Sequence, residues 1–295
     1  MSRFTRREFL HWTAAASTFA CFGRTLAARL ASLPASLPPL NQKFSATDTV
    51  TLGQTGIKTS RLAMGTGTVG SGHHSNQTAL GIDGLSRLLQ NGYDNGLRFF
   101  DAADSYGSHP HVAEALKHVD RTKVTLLTKS WARSASEMNA DLQRFRRELR
   151  TDHLDIVLMH CVTEGDWTTR YRGAMDALSE AKQQGVIRAH GCSCHTIEAL
   201  RTAAKSTWVE VDLARVNPIG SHMDAEPETL VSVLREMRAA GKGVVGMKIL
   251  GQGDLRNRQN EALNYALGLG VLDAFTIGAE SINEQTDLMK RIAAA

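Results

Sequence analysis

Asp101 and Tyr106 in RFFDAADSYG, Lys129 in VTLLTKS and His160 in DIVLMH each sit at the end of an apolar run, and together they could protonate a carbonyl oxygen during its reduction. A phenol titrates near 10, so Tyr106 would donate to a developing alkoxide near neutrality only with its pKa brought down by about 3, or roughly 4 kcal/mol. Lys129 is the expected lever, because an adjacent ammonium stabilises the phenolate. Asp101 would keep that lysine charged where burial alone would strip its proton. His160 would hydrogen-bond the carbonyl oxygen, orienting the substrate or relaying the proton. Each of these types also serves as an ordinary salt bridge or core aromatic, so the argument rests on where the chain places them.

Eight short apolar runs recur from residue 50 onward: RLAMG, LRFFDA, VTLLTK, LDIVLMH, VIRAHGCS, VEVDLARV, VVGMKIL and AFTIG. Between and after them lie amphipathic stretches at 78–91, 136–149, 172–184, 196–205, 227–240, 258–267 and 282–293. Strands alternating with helices over about 245 residues predict an α/β fold, a (β/α)8 TIM barrel, with an N-terminal β-hairpin at TVTLGQTGI; a doubly wound sheet is the alternative. On a barrel, Asp101 and Tyr106 end the second strand, Lys129 the third and His160 the fourth. All four then face the C-terminal rim, where barrel active sites are built.

The 295 residues, 42% of them hydrophobic, suffice for one large buried core. The formal charge of +4 comes largely from residues 1–40, which hold Arg3, Arg6, Arg7, Arg24 and Arg29 against Glu8 alone. The rest carries 29 basic and 29 acidic residues, a neutral balance with no electrostatic footprint for nucleic acid. Residues 1–28 read as a twin-arginine signal peptide: Thr5-Arg6-Arg7-Glu8-Phe9-Leu10, then WTAAASTFACFG, then small residues near Ala27 and Ala28 where cleavage is expected. The apolar stretch is about 12 residues against the roughly 20 a bilayer requires, so no stable membrane span is expected. Residues 29–48 read as a linker and 49–295 as the barrel. The expected location is the periplasm, reached folded through the twin-arginine translocation machinery, or a tethered state if the signal stays uncleaved.

From LGQTGIKTSRLAMGTG through DNGLRFFDAADSYGS, TKS and LDIVLMH to QGVIRAHGCSCH, the chain resembles the aldo-keto reductases, as a short-loop member. The resemblance covers residues 50 to about 290. It implies a nicotinamide cofactor, a small-molecule aldehyde or ketone substrate, Tyr106 as the acid, Lys129 and Asp101 as its tuners and His160 as the group that orients the carbonyl. It also implies cofactor contacts at Gly65, Ser193, Lys248, Leu250 and Gly278. Cys194 replaces the asparagine that commonly grips the carboxamide, Leu213 stands where a glutamine is usual with Asp212 beside it, and Met247 takes the place of a stacking aromatic. Methionine still offers a polarizable apolar platform. Gly251 and Gly253 are expected to leave backbone amides free for a pyrophosphate. Glu280 and Glu284 stand where arginine or lysine would meet a 2′-phosphate, so of NAD(H) and NADP(H) the reading leans to NAD(H).

Beyond Cys21 in the signal, Cys161, Cys192 and Cys194 form no paired framework. With His160 and His195 they suggest an alternative, a rim metal site at Cys192, Cys194 and His160, and in the periplasm Cys161 could oxidise onto Cys192 or Cys194. The principal expectation has no metal. A further alternative is a barrel that binds nicotinamide or a metabolite without turnover, as a sensor or partner subunit. His73 and His74 in GSGHHS, Trp131 just past Lys129, and Trp167 after the fourth strand are candidate walls of the substrate pocket, which short loops leave open.

Overall fold

The computed structural model describes residues 43–295. The twin-arginine motif, its cleavage region and the linker as far as residue 42 lie outside the described residues. A two-stranded antiparallel hairpin, β1 (Thr49–Thr51) and β2 (Lys58–Ser60), precedes eight parallel strands. These are β3 (Leu62–Gly65), β4 (Phe99–Asp101), β5 (Thr125–Ser130), β6 (Leu154–Val162), β7 (Ile187–Cys194), β8 (Val211–Arg215), β9 (Gly243–Met247) and β10 (Ala274–Ile277). They close in sequence order, with β10 pairing β3. The fold is the expected (β/α)8 barrel with its N-terminal hairpin.

Strand alternation makes the barrel wall two-faced. Ala63, Phe99, Leu127, Ile156, Leu158, Ala189, Val211, Leu213, Val245, Met247 and Ala274 share one interior cluster, and Leu52 and Ile57 from the hairpin turn close it from below. Helices ring the outside, among them α1 (Gly81–Asp94), α2 (His109–Leu116), α3 (Ala135–Leu149), α4 (Trp167–Arg170), α5 (Arg172–Gln183) and α6 (Ile197–Lys205). α7 (Pro227–Ala239), α8 (Gln259–Gly268) and α9 (Ile282–Ala294) complete the ring. The Ser134 hydroxyl accepts from Glu137 N and the Glu137 carboxylate answers back, a capping box that fixes where α3 begins.

Three local readings change. The stretch expected to start a helix at 78 makes a short 3-10 turn, Thr78–Leu80, and α1 starts only at Gly81. α2, opened by Pro110 and only eight residues long, has no counterpart among the expected helices. Residues 43–48, read as the end of the linker, dock on the barrel: Ala46 is buried, its carbonyl accepting from Leu62 N at 3.0 Å. Among the described residues no helix is long and apolar enough to cross a membrane.

Candidate active site

Two residues beyond the interior layer, the same alternation brings a second ring to the C-terminal rim. Asp101 follows Phe99, Lys129 follows Leu127, His160 follows Leu158, Arg215 follows Leu213 and Thr276 follows Ala274. The period of two therefore delivers these side chains to one mouth. Lys129, wholly buried, donates from Nζ to Asp101 Oδ1 at 2.5 Å and to the Ala102 carbonyl at 2.8 Å. The other Asp101 oxygen accepts from Thr276 Oγ1 at 2.9 Å. Gly65 makes room for this contact, since a Cβ there would lie 2.8 Å from Thr276 Oγ1. The Lys129 ammonium stands 4.8 Å from the Tyr106 ring centroid, and the His160 ring meets Tyr106 edge-on at 5.7 Å. The four residues singled out by sequence converge on one point.

Their electrostatics differ from expectation in one respect. Burial is the largest influence on Tyr106 and raises its pKa; Lys129 pulls it down, while Asp101 pushes it back up. Sequence foresaw the lysine but not the extent of burial, which penalises the phenolate. Tyr106 is thus held as a phenol, the form that has a proton to give. Donation to an alkoxide stays favourable, because the conjugate alcohol is about as weak an acid as water and far weaker than a phenol. Burial disfavours the Lys129 ammonium, but Asp101 and then Tyr106 outweigh it and its pKa rises. His160 is pushed well below the usual imidazole range, first by burial and then by Lys129, His195, Arg133 and Lys248. A neutral imidazole can offer one N–H to a carbonyl oxygen without competing for the tyrosine's proton.

The turn that carries Tyr106 is fastened from three sides. It is a 3-10 turn, Asp104–Tyr106, and Arg144 on α3 grips the Asp104 carboxylate with two nitrogens at 2.7 and 3.0 Å. His73 N donates to the Ser105 carbonyl at 2.8 Å, and His73 Nδ1 lies 3.0 Å from Asp104 O. Against the ring itself lies Gly67, where a Cβ would come within 2.2 Å of Tyr106 Cε2. His73 therefore braces the turn through its backbone while its ring stays largely in solvent. Trp131, 50% exposed with its ring 5.4 Å from His160, forms a wall of the mouth. Trp167 does not. It lies fully buried in α4, its indole N–H donating to the Ala199 carbonyl at 3.2 Å and its ring 6.0 Å from Trp208, so it packs helices together.

On the opposite arc, Ser193 keeps the interior parity of Ala189, and its hydroxyl accepts from Cys161 N at 3.4 Å. Cys194 has the other parity and turns outward, its sulfur 3.7 Å from that of Cys192. The Cys194 thiol thus turns away from the face that Ser193 occupies. For the same reason His160 points inward, away from Cys192 and Cys194, and the rim metal site that would join them is not formed. All three described thiols are free. Leu213 and Met247 provide an apolar floor. Above it, Arg215 donates to the His195 carbonyl at 2.9 Å and pairs with Asp224, while Arg215 Nε, Asp224 Oδ2 and His195 Nδ1 are buried without partners.

Lys248 adopts φ 59° and donates to Gln252 Oε1 at 2.6 Å; burial, then Arg215, lowers its pKa. Leu250 opens the turn that follows. The amides of Gly251 and Gly253 are not free as expected: they donate to Lys248 O and Leu250 O at 2.8 and 3.0 Å, closing that turn. Gly278 packs beside Thr68 and Gln77, and the exposed Glu280 accepts from Asn76 Nδ2 at 2.6 Å.

Residues 61–268 match the aldo/keto reductase family model. The chain belongs to that family. Over 112 residues it is 33% identical to the methylglyoxal reductase DkgB of Salmonella typhimurium, a segment covering 37% of this chain and 42% of that reductase. Among solved structures it resembles the holo form of the aldo-keto reductase AKR11C1 from Bacillus halodurans, with a TM-score of 0.70 and 19% identity over 84% of this chain and 92% of that one. It also resembles an aldo/keto reductase from Klebsiella pneumoniae in complex with NADP and acetate, with a TM-score of 0.62 and 20% identity over 82% and 89%. At these identities the structural likeness speaks for the fold.

This family member has site residues that sequence reading passed over. Arg133 lies in the loop after β5 and Arg144 on the helix α3 that follows, Arg215 ends β8 with Asp224 in the loop after it, and Thr276 sits on β10. Thr276 and Arg215 carry a signal in hindsight, since each stands two residues past an interior apolar residue, as Asp101 does. Asp224 and Arg144 carry none, because only the folded loops show what they meet.

Proposed function

We infer that the chain reduces an aldehyde or ketone, with Tyr106 as proton donor to the carbonyl oxygen. The observation that carries this reading is the buried Lys129–Asp101 pair set against a Tyr106 that keeps its proton. As Tyr106 gives up that proton, Lys129 stabilises the phenolate left behind, and Asp101, itself held by Thr276, keeps the ammonium in place. His160, neutral, donates a hydrogen bond to the same oxygen and fixes the carbonyl's orientation. Trp131 offers an apolar wall beside His160 for the substrate.

The inner rim suits a nicotinamide group: Ser193 presents a hydroxyl, Leu213 and Met247 an apolar surface, and Arg215 Nε and His195 Nδ1 are buried polar atoms awaiting partners. Bound there, a reduced nicotinamide supplies the hydride. Glu280, anchored by Asn76, favours NAD(H) over NADP(H), since a carboxylate accepts from a free ribose hydroxyl and repels a 2′-phosphate. The Salmonella relative's name makes methylglyoxal the substrate to try first. Residues 1–28 support folded export by the twin-arginine machinery to the periplasm.

Fluorescence titration with NADH and NADPH in parallel tests the cofactor, with NADH expected to bind more tightly. The outward turn of Cys194 and the apolar Leu213 favour a second reading, a barrel that binds without turnover. Tyr106→Phe separates the two: a reductase loses kcat by about 10²–10⁴-fold with its cofactor affinity intact. A wild type that binds nucleotide and reduces no carbonyl overturns the enzyme.

A further inference from the structure

On the outer face of the barrel wall, away from the active-site mouth, Cys192 and Cys194 on β7 stand beside Asp212 on β8. Cys192 and Asp212 are paired in the parallel ladder. All three are completely buried. The two sulfurs lie 3.7 Å apart, Cys192 Sγ lies 3.3 Å from Asp212 Oδ2, and the three ligating atoms all fall within 4.8 Å of one another. An ordinary hydrogen bond from a Cys192 thiol accounts for one Asp212 oxygen only. The other, Oδ1, is buried with no partner. Among the described residues Asp212 has no ion pair, and the ammonium of Lys242 is taken by the carbonyls of Ser206 and Val209. A buried carboxylate oxygen facing nothing is costly, and a proton or a cation would relieve it.

We propose that Cys192, Cys194 and Asp212 bind a structural zinc ion between the barrel wall and its helices. Tetrahedral zinc with Zn–S near 2.3 Å places two thiolate sulfurs about 3.8 Å apart, and with Zn–O near 2.0 Å it places sulfur and oxygen about 3.5 Å apart. In the protein these atoms stand 3.7 and 3.3 Å apart. The set offers three donor atoms, two soft sulfurs and one hard oxygen, which fill three of the four tetrahedral positions zinc takes. On binding, the two thiol protons leave to solvent and the Zn²⁺ charge is met by two thiolates and one carboxylate. No electron moves. The site borders the strand that carries Ser193 and the strand that carries Arg215, so the ion would stiffen the cofactor arc while touching neither substrate nor nicotinamide.

The test uses the full chain expressed with zinc in the medium and then dialysed against a mild chelator. Elemental analysis is expected to find close to one zinc per chain, and Cys192→Ser, Cys194→Ser and Asp212→Asn each to abolish it while circular dichroism shows the barrel intact. Cobalt(II) exchange into the wild type is expected to produce a thiolate-to-cobalt charge-transfer band. That readout stands if the variants do not fold. Zinc well below stoichiometric in the wild type, equal zinc in wild type and folded variants, or cobalt binding without the thiolate band would each overturn the proposal.

Discussion

Lys129→Met removes one member of a pair shut away from solvent and leaves the Asp101 carboxylate with a single hydroxyl, Thr276, for a partner. Breaking a buried ion pair from one side costs about 3–5 kcal/mol, because the surviving charge keeps its desolvation penalty without its compensation. For a domain of about 250 residues this corresponds to a fall in Tm of about 6–20 °C. Replacing both members, as in Lys129→Met with Asp101→Leu, removes the stranded charge, and apolar substitution of a buried pair is often near neutral. Stability measured by urea unfolding should therefore drop sharply in the single variant and recover substantially in the double one. Carbonyl reduction, followed by nicotinamide absorbance, should stay abolished in both. If the double variant regains activity along with stability, Lys129 acts only in folding and the proton-donor assignment is wrong. If the single variant is as stable as the wild type, the pair is not buried as described.

Other consequences follow from the same geometry. Tyr106 is raised above its ordinary value of 10 and His160 depressed below 6.5, so the donor form of one and the neutral form of the other coexist between; the kcat/KM profile should be flat from about pH 7 to 9, falling only toward more alkaline pH as the phenol ionises, and a step near pH 6.5 would contradict the His160 environment. Gly67→Ala drives a methyl group into the Tyr106 ring and should lower kcat by about 10²-fold or more while leaving the Tm within a few degrees, checked by kinetics beside calorimetry. The two tryptophans should separate: Trp131→Ala changes KM for the carbonyl with little loss of stability, whereas Trp167→Ala costs about 3–5 kcal/mol in urea unfolding with KM unchanged.

What could be read before folding was whatever depends on period and order. Strand alternation carries Asp101, Lys129 and His160 to the rim because each ends a run whose interior residues can be counted back in twos. The same rule sends Ser193 and Cys194 to opposite faces of β7, which the order of two adjacent letters already implied. Thr276 could not be assigned to Asp101, since 175 residues separate them and only closure of the barrel makes them neighbours. The direction of the Tyr106 shift depends on burial, which no local pattern supplies. Trp167 looked like a loop residue because the four-residue helix that buries it is too short to leave a periodic trace.

The hairpin that stoppers the barrel also sets an order of events during synthesis. Gly53 N donates to Asp273 Oδ2 at 3.1 Å, across 220 residues of chain. At roughly 5–20 residues per second, that partner leaves the ribosome about 10–40 s after the hairpin does. Throughout that interval Leu52 and Ile57 have no completed barrel to enter, and so distant a contact makes closure a late step in folding. A chain stopped short of Ala274 would keep those side chains in water however well its earlier strands had paired, so premature termination should yield aggregates rather than a smaller working enzyme.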